Sequence, residues 1–166
     1  MRTAKIALAK EDMKFSAAHF TIFSETERER LHGHNFQVSA TIEAPIVHNG
    51  MGFSYKVYKD KLRECCDALD EYLILPANSP YLSIADEGIE YVVSFNGETM
   101  RFLKADTLLL PIANATVEEF SHYILRQLAA IENDVEKYQI QSIVVGVSSG
   151  AGQWGYSEWQ QGEDMA

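Results

Sequence analysis

The stretch Phe36–Ile46, FQVSATIEAPI, places Val38, Ala40 and Ile42 on one side and Gln37, Ser39 and Thr41 on the other. A period of two sends alternate residues to opposite faces of an extended chain. The run therefore predicts a strand with one face in a core and one toward water. Whatever this chain folds into must bring a second layer against that apolar face. Two later segments have the period to do it. From about Tyr55 to Tyr72, residues Tyr55, Tyr58, Leu62, Cys65, Cys66 and Leu69, with Leu73 beyond, recur at helical spacing. A second helix is predicted after Thr116, where Glu119 completes a capping-box signature and Val117, Phe120, Ile124, Leu128 and Ile131 form the apolar stripe.

The remaining segments read as strands and turns. Residues 3–20 alternate loosely and end with Phe15, Ala17 and His19 on one face, and Asn49-Gly50 marks a turn. Pro76 and Pro80 are expected to end the first helix and open a loop. The run GIEYVVSF-NG-ETMRFLK predicts a hairpin, since Asn96-Gly97 suits a type I′ turn between two alternating runs. Leu108–Pro111 leads into the second helix, Gln141–Ser148 reads as a buried strand, and Gly150–Trp159 as a final aromatic-rich strand or loop. The expected class is α+β with an antiparallel sheet, in a single domain over 1–166.

Charge and cysteine content narrow the functions. The 166 residues carry a formal net charge of −10, with Lys and Arg scattered, which argues against a nucleic-acid partner. No run approaches the roughly 18 apolar residues of a membrane span. The opening residues MRTAKIALAKED do not read as a signal peptide, and the cysteine usage makes a reducing cytoplasm the default expectation. The two cysteines, Cys65 and Cys66, are adjacent, which excludes a disulfide framework and a thiolate-rich zinc site.

The candidate chemistry lies in Leu31-His32-Gly33-His34-Asn35. On a strand, residues i and i+2 share a face, so both imidazoles lean toward one point, and Gly33 adds no side chain to crowd it. His19 closes another strand. Three neutral imidazoles suit Zn²⁺ and leave a fourth coordination position open, as in catalytic sites. His48 beside the Asn49-Gly50 turn reads as a surface residue, and His122 as a solvated or core-edge residue of the second helix.

Phe15-Ser-Ala-Ala-His19 followed by Leu31-His-Gly-His-Asn35 resembles the zinc-binding signature of the 6-pyruvoyl-tetrahydropterin synthase family, which includes the 6-carboxytetrahydropterin synthases of queuosine biosynthesis. Gly50-Met51 with the following helix, Leu69-Asp70, Thr116-x-Glu118 and the two closing strands fall in family order, apart from an insert at about 81–110. The resemblance implies a tunnelling fold: a four-stranded antiparallel sheet with two helices on one face, here with a small β-hairpin insert. It also implies subunits joined edge to edge, typically as a homohexamer built from two trimers, with active sites between subunits. The chemistry implied is that of a lyase in which zinc holds oxygens of a pterin side chain, a cysteine assisted by an Asp-His pair moves protons, and a glutamate grips the pterin ring.

The sequence departs from that set. Arg28 stands where the family cysteine belongs, and arginine is no base at neutral pH. A branch of the family carries E-x-x-H-G-H instead, which Glu29-Arg30-Leu31-His32 fits; Glu29 is thus a candidate proton shuttle, or else a solvated acid of the charged loop Glu25–Arg30. Asp70 matches the family aspartate, but the histidine has become Glu71; the two acids could relay protons or be plain surface. Counting back from Tyr156, the ring-gripping glutamate falls on Ser148, which with Thr116 completes the expected substrate-binding set; Glu158 is the acid that could substitute. Trp154, Tyr156 and Trp159 could wall a planar ligand, or serve as core or interface. Two functions are expected to compete: a zinc-dependent synthase or lyase on a pterin-like small molecule with an altered catalytic set, and a non-catalytic zinc-binding oligomeric scaffold or ligand-binding relative.

Overall fold

A computed structural model of the chain describes residues 1–163. The strand predicted from alternation is β3, His32–Pro45, the longest in the molecule. Phe36, Val38, Ala40 and Ile42 are buried along one face. Its two halves have different neighbours. Strand β2 (Lys14–His19) pairs antiparallel with the first half, from Lys14↔Gln37 to His19↔His32, and β1 (Thr3–Leu8) pairs with the second, from Leu8↔Ala40 to Thr3↔Pro45. The loosely alternating residues 3–20 are therefore two strands with a break at 9–13. Met13, wholly buried, seats the break by accepting the Val38 amide on its carbonyl at 2.9 Å.

On the other side of β3 runs β9 (Ser142–Gly150), followed by β10 (Gln153–Gln160), both antiparallel. These strands form the antiparallel portion expected from the sequence. The sheet does not stop at four strands. Strand β4 (Tyr72–Pro76) adds parallel to β2, and β8 (Thr107–Leu110) adds parallel to β4, so the order is β10-β9-β3-β2-β4-β8 with β1 beside β3. Residues Leu73–Pro76, expected to belong to the helix end and a loop, are a buried strand instead. Every one of them is buried, so the run has no polar phase by which to read a period.

Helices α1 (Lys56–Leu69) and α2 (Val117–Ala129) cover one face of this sheet, joined by a short α3 (Glu132–Tyr138) absent from the sequence reading. Helix α1 stops at Leu69, earlier than expected, because Glu71 adopts φ +64° and turns the chain into β4. Helix α2 starts as predicted: the Thr116 hydroxyl accepts from the Glu119 amide at 3.4 Å, and the Glu119 carboxylate reaches back to the Ala113 amide at 2.7 Å. The core between the layers is built from Phe15, Phe36, Leu62, Leu69, Phe120 and Ile124 with their neighbours.

The insert is larger than a hairpin. Strands β5 (Ser83–Glu87), β6 (Glu90–Phe95) and β7 (Glu98–Leu103) form a separate three-stranded antiparallel sheet. Asn96 and Gly97, at φ +46° and +77°, make the β6–β7 turn as expected. This small sheet packs Val93 and Phe95 against Phe20, Ile22, Leu73 and Leu75, a second core beside the site.

Candidate metal centre and active site

Strand pairing assembles the histidines. His19 is the direct partner of His32 in the β2–β3 ladder, and His34 follows two residues on, so all three rings occupy one face. Gly33 allows the two strands to pair this closely, since a Cβ there would stand 3.2 Å from the Ala17 carbonyl oxygen. The ring centroids lie 4.8 Å apart for His19–His32 and His32–His34, and 5.2 Å for His19–His34. One ring nitrogen from each lies within 4.8 Å of the others.

Hydrogen bonds orient the rings. His19 Nδ1 donates to the Ala115 carbonyl and His32 Nδ1 to the Arg30 carbonyl, each at 2.7 Å. A carbonyl can only accept, so the proton sits on Nδ1 and the Nε2 lone pair faces the centre. His32 Nε2 approaches His34 Nε2 to 3.0 Å, while His19 Nε2 is buried with no hydrogen-bond partner among the described residues. Burial pushes the His19 pKa down, with His32 and His34 adding to the effect and the Ala115 carbonyl opposing it. The neutral form so favoured is the ligating one. An orphaned buried nitrogen aimed at two converging ring nitrogens is what a divalent cation such as Zn²⁺ would satisfy. The residues fit such an ion.

A cavity of about 410 Å³ opens over the triad. Besides the histidines it is lined by Thr21, Phe23, Glu29, Thr116, Val117, Glu118, Ser149 and Gln153. Glu29 reaches it because the loop after β2 folds back on itself through a bridge between Ile22 and Arg28. The Glu29 amide donates to the Thr21 carbonyl at 2.8 Å and the Thr21 amide donates to the Glu29 carboxylate at 3.0 Å. Its Oε2 stands 3.9 Å from His32 Nε2. Burial raises the Glu29 pKa, but the hydrogen bonds with Thr21 outweigh it, with a smaller lowering from the neighbouring His32 and His19 rings, leaving the carboxyl below its ordinary value. At neutral pH it is an ionised acceptor facing the triad.

The other expected site residues are placed differently. Asp70 accepts the Ser16 amide at 2.7 Å, and the Glu71 amide donates to the Ser16 carbonyl at 2.7 Å, so this pair ties the end of α1 to β2. Both side chains are exposed, and Glu71 lines a neighbouring depression with Ser16, His34, Asn35 and Asp106, outside the triad cavity. Thr116 lines the cavity while its hydroxyl caps α2. Ser148 is not brought to the triad. It pairs in register with Gln37 and Trp154 on the sheet face away from the helices, and its hydroxyl is engaged with the backbone of Gly150. The neighbouring Ser149 lines the cavity in its place.

That one-residue slip follows from the period of two. Val145 and Val147 are in the core, so the next helix-side residue of β9 is Ser149, and the phase of the valines carries the signal. Glu118 also reaches the cavity, from the first turn of α2. Glu158, Trp154 and Tyr156 share the opposite face of β10, the two aromatics stacked at 6.0 Å, whereas Trp159 is buried in the core. Neither tryptophan walls the triad cavity. His48 and His122 are exposed, as expected.

Comparison with known proteins agrees with this fold. The chain is 26% identical over 144 residues to a Methanocaldococcus jannaschii protein provisionally assigned as a 6-carboxy-5,6,7,8-tetrahydropterin synthase, a match covering 85% of this chain and 86% of that one. The crystal structure of 6-pyruvoyl tetrahydropterin synthase from Plasmodium vivax superposes with a TM-score of 0.91 at 28% identity, covering 96% of this chain and 99% of that chain. The Plasmodium falciparum enzyme superposes at 0.90 with 26% identity over 95% and 98%. Two further P. vivax structures carry alanine or cysteine in place of a glutamate described as a catalytic residue of that enzyme. Residues 8–153 match the family description 6-pyruvoyl tetrahydropterin synthase, and the chain belongs to that family.

Proposed function

We propose that this chain is a zinc-dependent carbon–oxygen lyase of the tetrahydropterin synthase type, acting on a reduced pterin with an oxygenated side chain and using Glu29 as its base. The observation that carries this reading is the Glu29 carboxylate facing three converged imidazoles across one cavity. His19, His32 and His34 would hold the ion, which when bound supplies a Lewis acid that polarises a substrate oxygen and acidifies the neighbouring C–H. Glu29, held by the Thr21 amide, takes that proton. The C–H electron pair forms a C=C bond as the C–O bond on the next side-chain carbon breaks, and the oxygen substituent leaves with its bonding pair. Glu29 then gives up the proton to the leaving oxygen or to the carbon that completes the keto form. Thr116, whose hydroxyl retains donor capacity while it caps α2, and Glu118 and Ser149 are the polar groups that would orient the substrate. A glutamate described as catalytic in the P. vivax relative supports giving this role to Glu29 rather than to Asp70 and Glu71, whose contacts are with Ser16.

The same reading includes self-association as a homohexamer of paired trimers and a cytoplasmic location, the latter supported by two unpaired cysteines. No helix among the described residues is long and apolar enough to cross a membrane. The test is metal analysis of purified protein, then turnover of a panel of 7,8-dihydropterins with hydroxylated C6 side chains, by the wild type and Glu29→Gln. Expected are about one zinc per chain in both, and a kcat lowered by a factor on the order of 10²–10⁴ in the variant. Turnover that survives Glu29→Gln removes the base assignment, and protein without stoichiometric transition metal removes the mechanism.

A further inference from the structure

Arg28 joins the inserted sheet to the site through both its guanidinium faces and its Nη atoms, while its buried Nε has no partner among the described residues. The guanidinium lies between two aromatic rings, 5.1 Å from the centroid of Phe20 and 5.7 Å from that of Phe95. Phe20 belongs to the segment leaving β2, and Phe95 to β6 of the insert. Arg28 Nη1 donates to the main-chain carbonyl of Glu29 at 2.9 Å, and Nη2 donates to Glu98 on β7 at 3.2 Å. A planar, delocalised cation can stack and donate sideways at once, which an ammonium cannot.

The consequence falls on Glu29. Its N–H is held by the Thr21 carbonyl and its C=O by Arg28, so both main-chain groups are pinned, and the side chain is pinned by the Thr21 amide. The three-stranded insert makes no backbone ladder with the main sheet. It reaches the loop through Phe95, Glu98 and a hydrogen bond from the Asn96 side chain to the Thr26 carbonyl at 3.4 Å. We propose that Arg28 is a positioning residue for Glu29, and that the insert formed by β5–β7 is the buttress that holds Arg28 in place. This rests on the reading of Glu29 as the base; the buttress itself is tested without turnover.

The experiment compares the full-length wild type, Arg28→Ala, Arg28→Lys and Phe95→Leu by amide hydrogen exchange and by steady-state kinetics on the dihydropterin panel. In Arg28→Ala, exchange in residues 20–31 speeds at least tenfold while α1 and the β3–β9 ladder keep wild-type protection. The kcat falls about tenfold with KM within a factor of two. Arg28→Lys, which keeps the charge and loses the planar fork, lies between, and Phe95→Leu speeds exchange in the same segment by a smaller factor. Wild-type exchange at 20–31 in Arg28→Ala, or acceleration spread evenly over the chain, overturns the proposal. If Arg28→Ala does not accumulate as folded protein, Arg28→Lys and Phe95→Leu decide it by the same local criterion. Glu29→Gln run in parallel separates the two ideas: unchanged activity there removes the base, while the exchange data still decide the buttress.

Discussion

Gly155 shows how little room single residues leave around the cavity. Strand β10 passes so close beneath the first turn of α2 that a Cβ at this position would stand 2.9 Å from the Val117 carbonyl carbon and 3.0 Å from the Glu118 amide nitrogen. Those are backbone atoms and cannot swing aside. Gly155→Ala is therefore expected to lift the start of α2 and destabilise the fold by about 1–3 kcal/mol, read as a shift in the urea midpoint at unchanged slope. The triad lies on other strands, so metal content should fall only as far as the shifted Ala115 carbonyl loosens its hold on His19. His19 has the opposite profile. Replacing it by alanine removes one proposed ligand and leaves the Ala115 carbonyl without the bond it accepts at 2.7 Å. Bound zinc is expected to fall from about one per chain to a small fraction of that, measured by elemental analysis after dialysis.

Helix α1 carries a pH-dependent test at the element scale. Burial pushes the Cys65 thiol up to about 11 and the Cys66 thiol up to about 12. In the unfolded chain thiols ionise near pH 8.5. A group whose folded pKa is raised gives stability that is complete below the unfolded value and lost as pH rises toward the folded one. Unfolding free energy should thus decline from about pH 9 to 11, with a slope approaching 1.4 kcal/mol per pH unit for each thiol. Cys66→Ala should flatten that slope, and native protein at pH 8 should resist iodoacetamide until it unfolds. Element by element, legibility in the sequence tracks how locally the signal is encoded. The Thr116–Glu119 cap, the Asn96-Gly97 turn and the alternation of β3 rest on contacts a few residues apart, and each was readable. Strands β4 and β8 were not, because Leu73–Pro76 and Thr107–Leu110 are short apolar runs made strands only by pairing with each other and with β2. The site divides in the same way. The register of β2 on β3 puts His19 opposite His32, as two alternating strands imply. The approach of Glu29 depends on the Ile22–Arg28 bridge and the insert, contacts that no local pattern announces.

At the scale of the whole molecule, one face of the main sheet lies under helices; on the other, the small β5–β7 sheet covers Leu73 and Leu75 of β4, while the part formed by β3, β9 and β10 has no element packed over it among the described residues. That open face carries the half-buried Gln37, Ser39 and Thr41 and the stacked pair Trp154 and Tyr156, which are 40% and 62% exposed. Strand β10 is also a sheet end, with an outer edge of main-chain groups that no strand among the described residues pairs. Aromatic surface beside an open edge is what a chain would cover by joining sheets with further copies. Tyr156→Asp places a charge on that surface at a residue whose ring is outside the core, so the single chain should still fold. Sedimentation is expected to give a six-chain wild type, with the variant shifted to smaller species at similar thermal stability. Each copy brings a formal charge of −10, so assembly works against long-range repulsion that salt screens over about 8–10 Å. The wild-type assembly should therefore tighten from low to moderate salt, whereas an interface held mainly by ion pairs would loosen. A wild type that sediments as a single chain at every salt concentration would sink the assembly and leave the open face of the sheet as solvent-facing surface.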